Sequence, residues 1–203
     1  MIGDAAEVTS EGEAGADGAL ARSQAARRRR VLDATMVLAR DGGFDGVQMR
    51  DVAAEANVAI GTVYRYFNSK ERLLLEMMVE QQEDLRRHLR RHPAEGPTAA
   101  ERVAVVLRRA NAALRRHSDV AVAMVRAFGA SRHENADVVE RVSVIMTSII
   151  TGAIGSNTER DRQVARILTQ VWLSSLIGWA GGVDPVERVD DDLTIAARLL
   201  LDT

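Results

Sequence analysis

Residues 49–67 read MRDVAAEANVAIGTVYRYF, and this stretch decides the fold of the chain. It has the form of a helix-turn-helix, with two short helices joined by a turn of about four residues. Asn57 stands where the first short helix must end in a left-handed conformation, which Asn tolerates better than any residue except Gly. The apolar residues expected to hold the two helices together are Val52, Ala53, Val58, Val63 and Phe67.

The second short helix predicts a surface that reads double-stranded DNA. It offers a small residue that allows close approach, hydroxyls that can bond phosphate, and an arginine that can bond guanine through two hydrogen bonds. The residues expected to face outward from the two helices are Arg50, Ile60, Gly61, Thr62, Tyr64, Arg65 and Tyr66.

Outside this stretch the hydrophobic pattern is helical throughout and predicts no strand. A helix is expected from Gln24 to the pair Gly42-Gly43, and a longer one is entered at Asn68 and ended before Pro93. Five further helices follow, with starts signalled by capping residues at Thr98, Ser131 and Thr158, among others. The expected fold is therefore all-α, with nine helices.

Composition narrows the function classes. The chain has 203 residues, 46% of them apolar, so it can bury a real core; no cysteine is present, which excludes disulfides and thiolate metal sites and suits a reducing cytoplasm. Residues 24–70 carry eight basic and five acidic side chains, whereas residues 1–23 carry one and five. The excess of positive charge thus lies in the segment that contains the helix-turn-helix. From the absence of cysteine, the protein is expected to be cytoplasmic.

Two other regions bear on the location of the chain. Residues 1–22 show no periodicity and no uninterrupted apolar core, so they are expected to form a disordered acidic tail and not a signal peptide. Residues 142–158 and 167–183 are each 17 residues long without a charge, which makes a membrane hairpin an alternative. Their Ser, Thr and paired Gly residues favour buried helices at a core or subunit interface, so no membrane partner is expected.

The residues 47–53, VQMRDVA, followed by 61–74, GTVYRYFNSKERLL, resemble the signature of the TetR family of transcriptional repressors. The resemblance implies a homodimer with DNA bound by the first three helices, here residues 23–68, and a ligand-binding and dimerisation domain over residues 69–203. It implies phosphate contacts for Thr62, Tyr64 and Lys70, base contacts for Arg50, Gly61 and Tyr66, and a place beside them for Arg65. Two positions depart from the family pattern: Ala59 replaces a common Ser, and Gln48 replaces the usual Thr.

Segments of the C-terminal half are similar to the TetR-family repressors of cholesterol catabolism in actinobacteria. They are residues 124–128, 164–168 and 171–179. This similarity implies an effector that is a steroid-derived acyl-CoA thioester, or more broadly a small apolar ligand that releases the operator. A ligand that shifts the dimer to another spacing of its two reading helices would act through the fourth helix, around residues 71–91.

An apolar effector cavity and a dimer interface are expected among the C-terminal helices. The apolar stripe of residues 164–179 has helical spacing and is more typical of simple core, while Ser174, Ser175, Gly178 and Gly181 would let another helix approach. Segments 158–182 and 187–201 are therefore candidates for an isologous interface. The candidate cavity residues are Met124, Phe128, Met146, Ile149, Trp172, Leu176 and Trp179.

The alternatives are an architectural DNA-binding protein without effector and a small helical enzyme. The sequence contains no nucleophile elbow, phosphate-binding glycine loop or His-Glu-x-x-His motif, so an enzyme is not favoured. No cofactor or metal is expected, since His88 and His92, although four residues apart, lie among arginines. The run Arg27 to Arg30 is compatible both with a phosphate or minor-groove contact and with a solvated helix start.

Overall fold

The computed structural model of the chain describes residues 7–131 and 133–202, and within them the side chains of all but residues 7–17 and 113. Over these residues it contains α-helices and one short 3-10 helix, His133–Asn135, and no strand, so the predicted all-α fold is confirmed. The helices are α1 (Glu7–Gly46), α2 (Met49–Glu55), α3 (Ile60–Tyr66), α4 (Lys70–Arg91), α5 (Ala99–Arg116), α6 (Ser118–Ala130), α7 (Ala136–Ile154), α8 (Glu159–Ala180) and α9 (Val186–Leu201).

Helices α1 to α3 form the helix-turn-helix module that the sequence predicts. Asn57, between α2 and α3, has a φ of 51°, so the predicted left-handed turn is confirmed. Val52, Val63 and Phe67 are at most 1% exposed and join α2 and α3 to the core. The angle between the two short helices is therefore set by buried side chains and by one turn residue.

The N-terminal part of α1 differs from the expected disordered tail. The structure describes residues 7–22 as helical, and residues 1–6 lie outside the described residues. Ala and Glu are frequent in this segment and are good helix formers, so it can extend the helix that the core nucleates. At the other end, Gly43 leaves the helical region with φ 60° and ψ −150°, which produces a kink near the predicted Gly42-Gly43 stop.

The helix caps show where local sequence signals succeed. Thr98 and Thr158 cap α5 and α8, as predicted, and Thr158 with Asp161 completes a capping box. Helix α4 is capped by Ser69 and not by Asn68, because the Ser69 hydroxyl accepts from the Arg72 N–H. The prediction for Ser131 is wrong: it follows α6, and its hydroxyl donates back to the Ala127 carbonyl at 2.7 Å.

Helix α4 links the helix-turn-helix to the larger C-terminal bundle. It packs against α1 on one side and against α6 and α7 on the other, while α5 packs with α9 and α7 with α8. Residues 73–79 of α4 are all buried, so this helix forms part of one continuous core that extends from Val31 to Ala197. The module also packs on the bundle directly, through α1 and α6.

No helix among the described residues has the length and apolarity required to cross a membrane. The uncharged residues 142–158 do not form one continuous helix, because α7 ends at Gly155 with a φ of 87° and α8 begins at Glu159.

Candidate DNA interface and effector cavity

Helix α3 presents one face to solvent. Ile60 is 44% and Tyr64 51% exposed, and Gly61 and Arg65 are also exposed. Arg50, on α2, is exposed, whereas Thr62 is half-buried. A Cβ added at Gly61 would meet no atom within 4 Å, so the protein's own packing does not require glycine at this position.

Tyr66 departs from the predicted outward orientation. It is half-buried and packs against the core, and its hydroxyl is buried without a hydrogen-bond partner among the described residues. The guanidinium of Arg65 lies 5.3 Å from the centre of the Tyr66 ring. The reason is position: Tyr66 follows the fully buried Val63 by three residues, so both side chains lie on the core side of α3.

The start of α4 is attached to the corner between α1 and α2. The Lys70 ammonium lies 4.0 Å from the centre of the Phe44 ring and donates to the Phe44 carbonyl at 3.4 Å. From the other side, Arg126 of α6 lies 4.9 Å from the same ring and pairs with Asp45 at 3.2 Å. Lys70 thus already contacts the module, and its ammonium would share its three donors between the Phe44 carbonyl and any other ligand.

The two departures from the family pattern remove side-chain caps. Neither Gln48 before α2 nor Ala59 before α3 makes a side-chain capping bond, and the Gln48 amide instead donates to the Asp45 carbonyl at 3.0 Å. The first backbone N–H groups of α2 and α3 therefore lack the side-chain acceptor that a Ser or Thr would supply.

The basic run at residues 27–30 is divided between two environments. Arg28 is half-buried and pairs with Glu76 and Glu80 of α4, each at 2.7 Å. Arg29 pairs with Asp33 on the solvent side, and Arg27 and Arg30 are exposed. Arg28 is therefore a structural residue. A contact with DNA phosphate remains a prediction for Arg27 and Arg30 only.

A cleft of about 640 Å³ opens between α4, α5 and α7. Its volume lies in the range typical of small-molecule sites. Three arginines are among its lining residues, which are Arg86, Leu89, Arg90, Pro93, Ala94, Arg102, Val106, Ser148, Ile149, Gly152 and Ala153. Because Arg90, Ser148 and Gly152 are exposed, the cleft reaches the surface.

The three arginines differ in what they already bind. Arg102 donates to the carbonyls of Ala153, Ile154 and Gly96 at 2.7–3.2 Å, so it holds the end of α7. Arg86 pairs with Glu83, but its Nε is buried and has no partner among the described residues. Arg90 is exposed and has no described ion pair, so Arg86 and Arg90 are the cations with donors to offer.

A second cavity of about 30 Å³, the inner cavity, lies one helical turn from the cleft toward the N-terminal end of α4. It is lined by Met78, Gln81, Gln82, Leu85, Ala110, Leu114, Met146 and Trp172. Gln82 is 4% exposed, and neither its amide oxygen nor its amide nitrogen has a hydrogen-bond partner among the described residues. Leaving such a buried group unpaired costs about 1–3 kcal/mol, so the amide calls for an explanation beyond packing.

The indole of Trp172 is fixed at the wall of the inner cavity. Its Nε1 donates to Asn111 at 2.9 Å, Asn111 donates to Asp190 at 2.7 Å, and Arg115 donates to the other Asp190 oxygen at 2.6 Å. This chain of bonds joins α8, α5 and α9, so the position of the ring depends on all three helices.

The structure brings together only part of the predicted effector residues. Met146 and Trp172 line the inner cavity and Ile149 lines the outer cleft. Met124 and Leu176 are core residues at most 2% exposed, and Phe128 and Trp179 pack against the core; these four line neither cavity. The apolar stripe on α8 is thus mainly core, because its buried side packs between α6, α7 and α9.

Gln82, Arg86 and Arg90 are cavity residues that sequence reasoning missed. The available signal was a glutamine four residues after Met78, on the buried side of an otherwise apolar stretch of α4. As for metals, the described residues contain no group of three or more His, Cys, Asp or Glu able to hold an ion. The centres of the His88 and His92 rings lie 4.8 Å apart with a 37° tilt between the rings, and both residues are exposed.

Comparison with known proteins assigns the family. The family model of bacterial regulatory proteins, tetR family, matches residues 31–77, and that of the tetracyclin repressor-like C-terminal domain matches residues 96–200. The chain is 36% identical over 198 residues to the HTH-type transcriptional repressor KstR of Mycolicibacterium smegmatis, covering 97% of this chain and 95% of the relative.

Two solved structures share this fold. A TetR transcriptional regulator from Rhodococcus sp. RHA1 has a TM-score of 0.80 at 30% identity, covering 88% of this chain and 97% of that one. Thermus thermophilus FadR, a TetR-family repressor in complex with lauroyl-CoA, has a TM-score of 0.66 at 23% identity, covering 85% and 92%.

A helix-turn-helix module joined to a helical bundle through the long helix α4 and through the packing of α1 on α6 is the architecture of a DNA-binding transcriptional regulator. The chain belongs to the TetR family of bacterial regulatory proteins and is homologous to the repressor KstR. The family predicted from residues 47–74 is therefore confirmed, and so is the expectation of a regulator in place of an enzyme, since the homologues are named transcriptional repressors.

Proposed function

We propose that the protein is a ligand-responsive repressor that binds an inverted-repeat operator as a homodimer and is released by an apolar effector with an anionic head. A steroid or fatty acyl-CoA thioester has this chemistry. The observation that carries the proposal is the cleft on α4, because the helix that lines it also begins at the DNA-binding module.

On the DNA side, the exposed face of α3 supports insertion into the major groove. Arg50, Gly61 and Tyr66 would approach base edges, and Thr62, Tyr64 and Lys70 would hold phosphates, with Ile60 and Arg65 beside them. The exposure of Ile60, Gly61, Tyr64 and Arg65 supports this arrangement. Tyr66 would have to turn its hydroxyl out of the core, or contribute through its ring edge.

On the effector side, the two cavities are consecutive along the same three helices. Helix α4 supplies Arg86 to the outer cleft and Gln82 to the inner cavity; α5 supplies Val106 and then Ala110, and α7 supplies Ile149 and then Met146. Residues three or four apart are neighbours on one helical face. A ligand whose phosphates bind Arg86 and Arg90 would thus point its apolar part toward Trp172, and the lauroyl-CoA complex of the Thermus FadR supports this ligand class.

The two functions would be coupled through α4. An effector that widens the space between α4 and α7 moves the helix to which α1 is paired, so residues 23–68 would rotate relative to residues 69–203. A ligand that favours this second arrangement weakens operator binding by its coupling free energy, typically about 1–3 kcal/mol.

The dimer would form through α8 and α9. Ile167 and Ile177 are exposed on one face of α8, where Ser174 allows close approach, and Ile195 and Leu199 are exposed on α9. Exposed apolar residues grouped in this way favour association with a second copy of the chain. As a regulator of chromosomal genes, the protein would act in the cytoplasm.

Fluorescence anisotropy tests the proposal. The full chain is titrated into its own upstream intergenic DNA and into a scrambled duplex, with and without a steroid acyl-CoA thioester and a fatty acyl-CoA. We expect specific binding that either thioester reverses, and a dimer by analytical ultracentrifugation. Equal affinity for the scrambled duplex would instead favour an architectural protein, and specific binding that no thioester changes would refute the effector class.

A further inference from the structure

Gln82 occupies a position where an unpaired amide is unexpected. Its neighbours in the inner cavity are apolar, apart from Gln81, which is half-exposed, and Trp172, whose N–H is already bonded to Asn111. The Gln82 amide offers one acceptor and two donors in this cavity, and no described group of the protein uses them.

We propose that Gln82 recognises a carbonyl or hydroxyl oxygen on the apolar body of the effector. The inference rests on the proposed function, since it requires an effector that enters from the arginine-lined cleft. The ligand would be an oxygenated apolar body attached to an anionic head, and an unsubstituted hydrocarbon chain would fit less well because it would leave the amide unpaired.

The position of Gln82 along the ligand path agrees with this role. It precedes Arg86 by four residues, so its amide lies one helical turn, about 5–6 Å, inward from the cation that would hold the head. The oxygen it reads would therefore lie on the body of the ligand, beyond the atoms held at the mouth. Arg86 has a buried unpaired Nε, which makes two unsatisfied donors along one face of α4.

The inner cavity must enlarge to accept such a body. Its volume of about 30 Å³ corresponds to one water molecule. Met78 and Met146 form part of its wall, and unbranched methionines change rotamer at low cost. Met146 lies on α7 and Met78 on α4, the two helices that the coupling mechanism requires to move.

The test uses the full-length protein and two CoA thioesters of one steroid acid, which differ only by a ring ketone. Their dissociation constants are measured by calorimetry for the wild type, for Gln82→Leu and for Gln163→Leu, an exposed glutamine of α8 that lines neither cavity. We expect the wild type to bind the keto form roughly tenfold more tightly than the deoxy form. This ratio should fall to near one in Gln82→Leu and persist in Gln163→Leu.

Operator affinity and the dimer mass of each variant report on folding, and Gln82→Met replaces Gln82→Leu if the latter is misfolded. The melting temperature of Gln82→Leu without ligand should rise, because an unpaired amide is removed. A wild type without preference for the ketone, or a preference that survives in Gln82→Leu, overturns the inference. If both thioesters release the operator equally well, the proposed function stands. If neither thioester binds, the proposed function and the inference about Gln82 are both refuted.

Discussion

Arg28 and Glu76 form an ion pair across the junction between the DNA-binding module and the bundle, with Arg28 Nη2 2.7 Å from Glu76 Oε2. The other Glu76 oxygen accepts from Arg141 of α7 at 2.8 Å, and the Glu76 side chain is only 7% exposed. The Arg28 guanidinium also lies 5.6 Å from the centre of the Phe67 ring. One carboxylate on α4 therefore joins α1 to α7, and Arg28 also contacts Phe67, the residue that follows α3.

Replacing Glu76 by Gln should destabilise the protein, because both arginines lose a charged acceptor in a shielded position. We expect the free energy of unfolding in urea to fall by about 1–3 kcal/mol. Asp33→Asn, which breaks the exposed pair with Arg29, is the control and should change it by less than about 0.5 kcal/mol. If the two variants are equally stable, the junction does not depend on Glu76.

Gly61→Ala should separate DNA binding from stability. The added methyl meets no atom of the protein within 4 Å, and Ala is a better helix former than Gly, so the variant should be up to about 1 kcal/mol more stable. If α3 approaches the bases closely at this point, operator affinity in an anisotropy titration should nevertheless fall. Gly129→Ala on α6 also adds a methyl in open space, and it should leave operator affinity unchanged.

Lys70→Ala should weaken binding to operator and to scrambled DNA by similar factors and reduce the salt dependence of log K by about one. The physical reason is the loss of one phosphate contact, which carries no sequence information. Arg116→Ala, which removes an exposed cation on α5 outside the proposed dimer interface, serves as the charge-matched control. A salt slope that stays at the wild-type value would assign Lys70 to its contact with Phe44 alone.

Arg90→Ala should lower the affinity for an acyl-CoA thioester without changing operator affinity in the absence of ligand. Arg90 lines the outer cleft and has no described ion pair, so its charge is available for a phosphate. Arg91→Ala removes the next cation on α4, which does not line the cleft, and should bind the thioester as the wild type does. Calorimetry that shows equal losses in both variants would indicate a nonspecific charge effect.

Low pH should reduce the free energy of unfolding through the protonation of Asp161 and Asp137. Hydrogen bonds from the Thr158 hydroxyl and N–H and from Ser156 lower the pKa of Asp161, and the guanidinium of Arg72 lowers that of Asp137. A lowered folded-state pKa contributes stability that is complete above the unfolded value of about 3.9 and is lost as pH falls through the folded value. Urea unfolding followed from pH 6 down to about pH 2 should show this loss below the unfolded pKa, and Asp161→Asn should reduce the slope of the unfolding free energy against pH. A wild-type slope in that variant would contradict the assignment.

Signals that act over a few residues were sufficient to predict most of the helices and the helix-turn-helix module. Gly43, Asn57, Thr98 and Thr158 act on the residues next to them, through backbone conformation or a hydrogen bond to a nearby N–H, so their effect was predictable from spacing. Ser131 misled for the same local reason: a serine three residues before Glu134 can cap a following helix or bond back to the preceding one, and here the preceding helix is favoured.

By itself, the sequence determined the all-α fold, the family and the position of α3, because periodicity, caps and a short motif act over a few residues. Only the tertiary structure decided that Arg28 pairs with Glu76, 48 residues away in sequence. The same holds for Arg141, which pairs with the same carboxylate and lies 65 residues from it in sequence. The tertiary structure also decided that Gln82 lies unpaired in a cavity while Met124 and Leu176 are plain core. Such pairings depend on how whole helices pack, and the period of a single helix contains no information about its neighbours.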